Sequence, residues 1–428
     1  MKRYRMSIAA LLLSISFSAV FAGGQTESSE TAGPAADPAS LSGEIVFQHA
    51  ADPWHVSYFE PIFEAFAARY PQLAIESVEL AGGGYEQLAQ RVLLSSAAGD
   101  IPDAAQVGFS FLDTLAGSGR AVALDPYMQA DATYDAQGML PAMADLGVSD
   151  GQTYMIPLAM STPVVYVNEA AFEAAGLDPN MPIRTWNDLV AASEALKATG
   201  VFGVYFAWEI TGNWIFQTLL ENAGARMATA GNPVAFAGDE AVEAISFVQN
   251  LVEDELMPRV SDGVPLFLGE QLGMLVSSSA GLEVIRSMAS FPFRLIPVPT
   301  QDGSQPRLPA GGAGVMMFAP EGRRQATWEF LKFLAGDEAS GFVGRNSGYL
   351  PANQRVLEEL RSESVADQNR LLLLDQAPSV VPWHSWPGGR GAEISNRIHE
   401  ATEAIIIGGA DVGRTLTDAA TEVEALLP

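Results

Sequence analysis

The stretch from Pro157 to Pro179, "PLAMSTPVVYVNEAAFEAAGLDP", holds the junction on which the fold turns. Val164–Val167 is a short β-branched and aromatic run, as a strand requires. Asn168 can cap the helix that follows, and Gly176 with Pro179 stops it. Upstream, the residues from Pro157 read as a strand leaving another domain, and Ser161, Thr162 and Pro163 form a small polar turn between the two. The backbone is therefore expected to cross between two lobes here, at a turn where a ligand can bind.

On the N-terminal side, "GEIVFQHA" is an extended apolar run. Phe59, Ile62, Phe63 and Phe66 then recur at helical spacing between Tyr58 and Tyr70, and Pro71 ends the pattern. Leu73–Leu80 alternates as a strand, "AGGGYEQ" is a flexible loop, and Leu88–Leu94 opens another helix. On the C-terminal side, "RTWNDLVAASEALKATG" has Thr185 as N-cap, Asp188 as its reciprocal partner, Trp186, Leu189 and Leu196 on one face, and Gly200 as the stop. "FPFRLIPVP" and "PAGGAGVMMFAP" read as strands, "TWEFLKFLAG" as a helix with Trp328, Leu331 and Leu334 inward, and Glu393–Leu427 as mostly helical. No fixed-period repeat occurs. Strands alternating with helices predict an α/β fold with a largely parallel sheet. Passages rich in proline or glycine near Pro157, Pro297 and Tyr349 cut the chain into four segments, so the expected assembly is two lobes joined by three hinge crossings.

The chain has 428 residues, 48% of them apolar, a net charge of −28 and no cysteine. That length exceeds what one core covers, and burial alone must hold the fold. Lys2, Arg3 and Arg5 precede the apolar run Ile8–Phe21, and Val20 and Ala22 occupy the small-residue positions of a cleavage site. Residues 1–22 therefore read as a secretory signal peptide cleaved near Ala22, and residues 23–43 as a disordered polar leader. The apolar run is too short to span a membrane. Without a cysteine to carry a lipid, a freely diffusing periplasmic protein is expected. Strong acidity argues against nucleic acid or an anionic membrane as a partner.

"STPVVYVNEAAFEAAGLDP", "TWNDLVAASEALKATG", "GGYEQL", "SSSAGLEVIR", "GGAGV" and "GYLP" follow in order from about residue 44 to the C-terminus. In these motifs the chain resembles the periplasmic solute-binding proteins of ABC importers, within the group that binds sugars and closest to the glycerol-3-phosphate-binding branch. The resemblance implies an N-terminal lobe of residues 44–157 plus 300–347 and a C-terminal lobe of residues 158–299 plus 350–428. It also implies closure of the lobes over a ligand, delivery to a membrane permease, no chemistry on the ligand, no cofactor, and action as a monomer. The hinges would lie at Pro157–Thr162, Pro297–Thr300 and Ser347–Pro351.

A polyol or sugar needs short polar side chains for its hydroxyls and aromatic faces for its C–H surfaces, because buried hydroxyls left unpaired are costly. By motif match the ligand-binding candidates are Tyr85, Ser161, Trp214, Ser279, Gly312 and Tyr349, with Trp208 as a second aromatic. Taken alone, Ser161 and Ser279 are turn or capping residues, and Gly312 either permits close strand packing or lets ligand approach its N–H. Trp54, Trp383 and Trp386 lie in the loops "DPWH" and "PWHSWPGG", where large aromatics are exposed for contact.

Two positions depart from the branch. Phe109 stands where the branch has an acidic residue, and Ser395 where it has a phosphate-pairing arginine, whose planar fork suits a phosphate. Arg390 and Arg397 lie within a few residues and could substitute. A neutral carbohydrate or polyol is therefore expected ahead of glycerol-3-phosphate or its diesters. An enzyme is the first rival reading, but no nucleophile elbow, P-loop or His-Glu-x-x-His motif occurs, and His49, His55, His384 and His399 read as loop or cleft-edge residues. A ligand sensor serving a chemoreceptor is the second rival.

Overall fold

The computed structural model describes residues 40–51, 53–80, 84–134 and 137–428. The expected signal peptide and residues 23–39 of the expected leader lie outside the described residues, and so does the side chain of Trp54. Among the described residues no helix is long and apolar enough to cross a membrane.

Two sheets organise the chain. The first has six strands in the order Leu350–Pro351, Met155–Ser161, Gly311–Met317, Ala104–Gly108, Gly43–Ala50, Leu73–Leu80. The second has four, in the order Phe293–Ile296, Pro163–Asn168, Leu272–Ser278, Phe202–Phe206. Neither is largely parallel. Gly43–Ala50 runs parallel to both its neighbours, but Gly311–Met317 is antiparallel to the strands on either side. Pro163–Asn168 is likewise antiparallel to both partners. Helical crossovers make parallel neighbours, whereas a strand that enters from the other lobe is free to run the opposite way.

The quoted stretch behaves as read. Met155–Ser161 belongs to the first sheet, Thr162 is the single residue between, and Pro163–Asn168 belongs to the second. The Asn168 side chain accepts from the Ala171 N–H and caps the helix Glu169–Ala174. Pro157 is tolerated because the ladder to Gly311–Met317 shifts register beside it. The sheets place residues 158–161 and 350–351 with the first lobe, to which the expected boundaries did not assign them. Thr300 is still tied to the second lobe, through bonds with Arg184 and Trp186, and the chain passes to the first sheet at Leu308–Gly311.

Packing follows the periodicities. On one face of the first sheet Phe47, Phe59, Phe66, Phe330 and Phe333 interlock, with centroids 5.2–5.4 Å apart. His49 belongs to this core, not to a loop edge: it is buried in a strand, its ring stacks on Phe47 at 5.3 Å, and its Nε2 meets Ser77 Oγ at 2.7 Å. The helix Trp186–Lys197 has the expected capping box, with the Asp188 N–H on Thr185 Oγ1 and the Thr185 N–H on Asp188 Oδ2. Trp328 is fully buried and donates to Asp131, which also holds Lys332 at 2.7 Å.

Candidate functional site

The two lobes meet along a seam, and most of the motif-matched residues lie on it. Tyr85 opens the helix Tyr85–Ala98, and its hydroxyl shares a 3.1 Å hydrogen bond with that of Tyr349. Tyr349 in turn packs edge-on against Tyr58. At the crossing, the Thr162 N–H donates to Ser279 Oγ at 3.1 Å, the Ser279 N–H donates to the Thr162 carbonyl at 2.9 Å, and the Thr162 hydroxyl donates to Gln376 Oε1. A Cβ on Gly348 would stand 1.8 Å from the Ser279 carbonyl oxygen, so the Ser347–Tyr349 passage runs directly against this joint. Ser279 therefore bonds the crossing at Thr162 through both its backbone N–H and its side-chain oxygen.

Gly312 has φ +104°, and a Cβ there would stand 2.1 Å from the Ala159 carbonyl oxygen. Backbone conformation and strand packing thus both demand glycine at this position. Its neighbour Gly311 leaves room for Ser161 Oγ and for the ring of Trp214, each of which a Cβ would crowd to 2.5–2.6 Å. Trp214 is buried and donates Nε1–H to the Pro309 carbonyl at 3.0 Å.

The aromatic partner of Trp214 is Trp383, 6.0 Å away, and not Trp208. Trp208 stacks instead on His399. Trp383 and Trp386 were expected to be exposed, yet they are 4% and 2% exposed. The cause is that residues 382–386 strap both lobes together. On the second-lobe side Trp383 Nε1–H donates to the Gly212 carbonyl at 2.9 Å and the His384 N–H to Gln217 Oε1 at 2.9 Å. On the first-lobe side Ser385 Oγ accepts from the Asp113 N–H at 3.0 Å, and the Trp386 carbonyl accepts from the Thr114 hydroxyl at 3.2 Å.

Sequence reasoning missed several residues on this seam. Gly212, at φ +66°, lies so close to Ser110 and Trp383 that a Cβ would stand 2.7 and 2.6 Å from them. Asn213, at φ +56°, donates Nδ2–H to the Ser395 carbonyl. The dipeptide Gly212-Asn213 was a visible left-handed turn signal. Ser110 carried none beyond its place next to Phe109. Ser110 Oγ, Thr211 Oγ1, Gln376 Nε2 and His384 Nε2 are buried and without a hydrogen-bond partner among the described residues.

Phe109 is 3% exposed and lines a cavity of about 390 Å³ between the lobes, walled also by Asp113, Gln217, Glu221, Trp383 and His384. No lysine or arginine is part of that lining. Burial pushes the Asp113 carboxyl up, against hydrogen bonds from Ser149 and Ser385, and pushes the His384 imidazole down to about 4. Ser395 is buried on the inner face of the helix Gly391–Ile406. Arg390 and Arg397 are exposed, paired with Glu393 at 2.9 Å and Glu400 at 2.8 Å. Neither is drawn to the seam. Among the described residues no group of His, Asp and Glu could hold a metal.

Two α/β lobes that enclose ring faces and hydroxyls define a ligand-binding protein. Residues 52–340 match the family described as bacterial extracellular solute-binding protein, and the chain belongs to that family. It is 27% identical over 309 residues to the sn-glycerol-3-phosphate-binding periplasmic protein UgpB of Brucella melitensis, covering 67% of this chain and 70% of that one. Its fold is that of the two-lobed binding proteins. UgpB from Mycobacterium tuberculosis in complex with glycerophosphocholine superposes with a TM-score of 0.77 at 23% identity, covering 90% of this chain and 98% of that one. An ABC substrate-binding protein from Listeria monocytogenes in complex with cycloalternan gives 0.79 at 19% identity, covering 90% and 99%.

Proposed function

We propose that this chain captures a neutral carbohydrate or polyol between its lobes and delivers it to the membrane permease of an ABC importer. It acts as a monomer in the periplasm, after cleavage near Ala22. The observation that carries this reading is the chemistry of the seam. Tyr85, Ser161, Ser279 and Tyr349 bring hydroxyls together there, Trp214 and Trp383 bring rings, and the adjoining cavity has no cationic lining. Hydroxyl groups that donate and accept, with flat C–H faces, complement such a surface.

Ligand contacting both lobes shifts the population toward the closed form, because only there are all its contacts made. The residues that flex are those at Thr162, at Leu308–Gly311 and at Ser347–Pro351, while each sheet moves with its own helices. Glycerol-3-phosphate or a glycerophosphodiester is the second reading, favoured by the names of the relatives. It requires a cation at the seam, and Arg390 and Arg397 are engaged elsewhere.

The test is a thermal-shift screen of the secreted chain against neutral mono- and disaccharides, polyols, glycerol-3-phosphate and glycerophosphodiesters. A ligand at about 100 times its dissociation constant adds about 2.7 kcal/mol of stability, a readily measured shift. A shift with neutral sugars or polyols alone is expected. A shift with phosphorylated ligands alone overturns the neutral reading.

A further inference from the structure

A second cavity, of about 300 Å³, is walled by residues 182–184, 294–298 and 303–306. All of these precede the crossing at Leu308–Gly311, so the first lobe contributes none of the wall. Neither does Phe109, Trp383 or any motif-matched residue of the seam. We infer that this cavity is a separate site for a small organic monocarboxylate. Its carboxylate would meet Arg294 and Arg184, and its apolar body would lie against Ile183, Ile296 and Val298. The inference goes beyond the capture of a sugar between the lobes and does not depend on it.

Charge sets this cavity apart. A chain of net charge −28 repels anions over most of its surface, yet the lining carries two arginines and neither aspartate nor glutamate. Arg286, Arg355 and Arg370 each hold a carboxylate, whereas Arg184 and Arg294 pair with none among the described residues. The acids that flank the lining in the chain are turned to backbone groups. Asp188 accepts from the N–H groups of Arg184 and Thr185 at 3.0 and 2.9 Å, and Asp302 from that of Ser304 at 3.0 Å.

The geometry of Arg294 selects the anion. It lies in the edge strand Phe293–Ile296, and its Nη1–H donates to Asn180 Oδ1 at 2.8 Å. That bond leaves the opposite edge of the guanidinium, where Nε–H and Nη2–H run parallel and match the two oxygens of a carboxylate. Nε is buried and has no hydrogen-bond partner among the described residues. An unpaired buried donor is costly, so a carboxylate seated on that edge removes a penalty as well as adding a bond. Arg184 is exposed and supplies a second positive charge at the rim. The aliphatic and proline side chains between them reward an apolar body, and the volume stands at the small end of the roughly 300–1,000 Å³ found for ligand sites.

The experiment is calorimetric titration of the full secreted chain with benzoate and hexanoate. Benzamide serves as the neutral counterpart, acetate as the acid without an apolar body, and inorganic phosphate as the bare anion. At least one of the two acids is expected to bind about tenfold or more tightly than benzamide, the gain from charge-assisted hydrogen bonds, and more tightly than acetate. Arg294→Met is expected to lower that affinity about tenfold or more. Arg294→Lys should lose nearly as much, because an ammonium keeps the charge without the fork. Arg184→Ala, at an exposed position, is expected to lower it about threefold and provides the test if the Arg294 variants fail to fold. If neither acid binds at millimolar concentration, or if Arg294→Met and Arg184→Ala both keep the wild-type affinity, the site is refuted while the capture of sugars stands. If benzamide matches benzoate, the ionic half of the inference is wrong. If phosphate binds more tightly than both acids, the apolar half is.

Discussion

Two buried polar regions of this molecule invite comparison. Behind the first sheet, Asp131 accepts from Lys332 at 2.7 Å and from Trp328 at 3.1 Å, and Lys332 also reaches Glu329, which takes the Tyr70 hydroxyl at 3.1 Å. At the seam between the lobes, Ser110, Thr211, Gln376 and His384 each keep a buried polar atom with no partner among the described residues. A network whose members satisfy one another rigidifies a lobe, whereas one that does not is poised for a group from outside.

The largest effect expected from breaking this contrast is at Lys332. Lys332→Met leaves Asp131 and Glu329 buried without their cation and should cost about 3–5 kcal/mol in denaturant unfolding. The additional stability conferred by saturating ligand should be unchanged, because the network is remote from the seam. A loss of ligand-induced stabilisation would erase the distinction between the two regions.

Acid should probe the same network more gently. Burial pushes the Asp131 carboxyl up, but hydrogen bonds from Lys332, Thr133 and Trp328 outweigh it and hold the group at about 2, below the ordinary 3.8. A carboxyl depressed in the folded state stabilises that state above the unfolded value, and the contribution is lost as pH falls from about 4 toward 2. About 2 kcal/mol should disappear over that window, and the loss should be missing from Asp131→Asn.

Smaller again is the effect at the seam. Tyr349→Phe removes one hydroxyl of the Tyr85–Tyr349 pair and should weaken ligand binding by about 1 kcal/mol, roughly fivefold, with little change in the stability of the free protein. The reverse pattern, lost stability with unaltered affinity, would make this pair architectural like the Asp131 network. Last come Arg390→Ala and Arg397→Ala, which remove exposed ion pairs and should change stability by less than about 0.5 kcal/mol and affinity not measurably. Abolished binding of a phosphorylated ligand by either variant would bring a cation into the seam and reverse the preference for neutral ligands.

Much of this was legible locally. Asn168 and Thr185 cap helices because a short side chain reaches the first free N–H groups from its own turn. The crossing at Thr162 was legible because a small polar turn stands between two apolar runs. Burial of the loop tryptophans was not, because Trp383 and Trp386 are covered by Gly212, Gln217 and Thr114, which lie more than 160 residues away in the chain. The pairing of Trp214 with Trp383, and of Trp208 with His399, was hidden for the same reason.

By itself, then, the sequence determined the secondary elements, the family, the two-lobed α/β fold and most of the residues that reach the seam, since these follow from periodicity, capping chemistry and motif. Only the tertiary structure decided strand direction in the sheets, the strap of residues 382–386, the outward commitment of Arg390 and Arg397, and the acidic cavity beside Phe109. Those features depend on which distant segments come within bonding distance when the chain folds, and no local pattern encodes that separation.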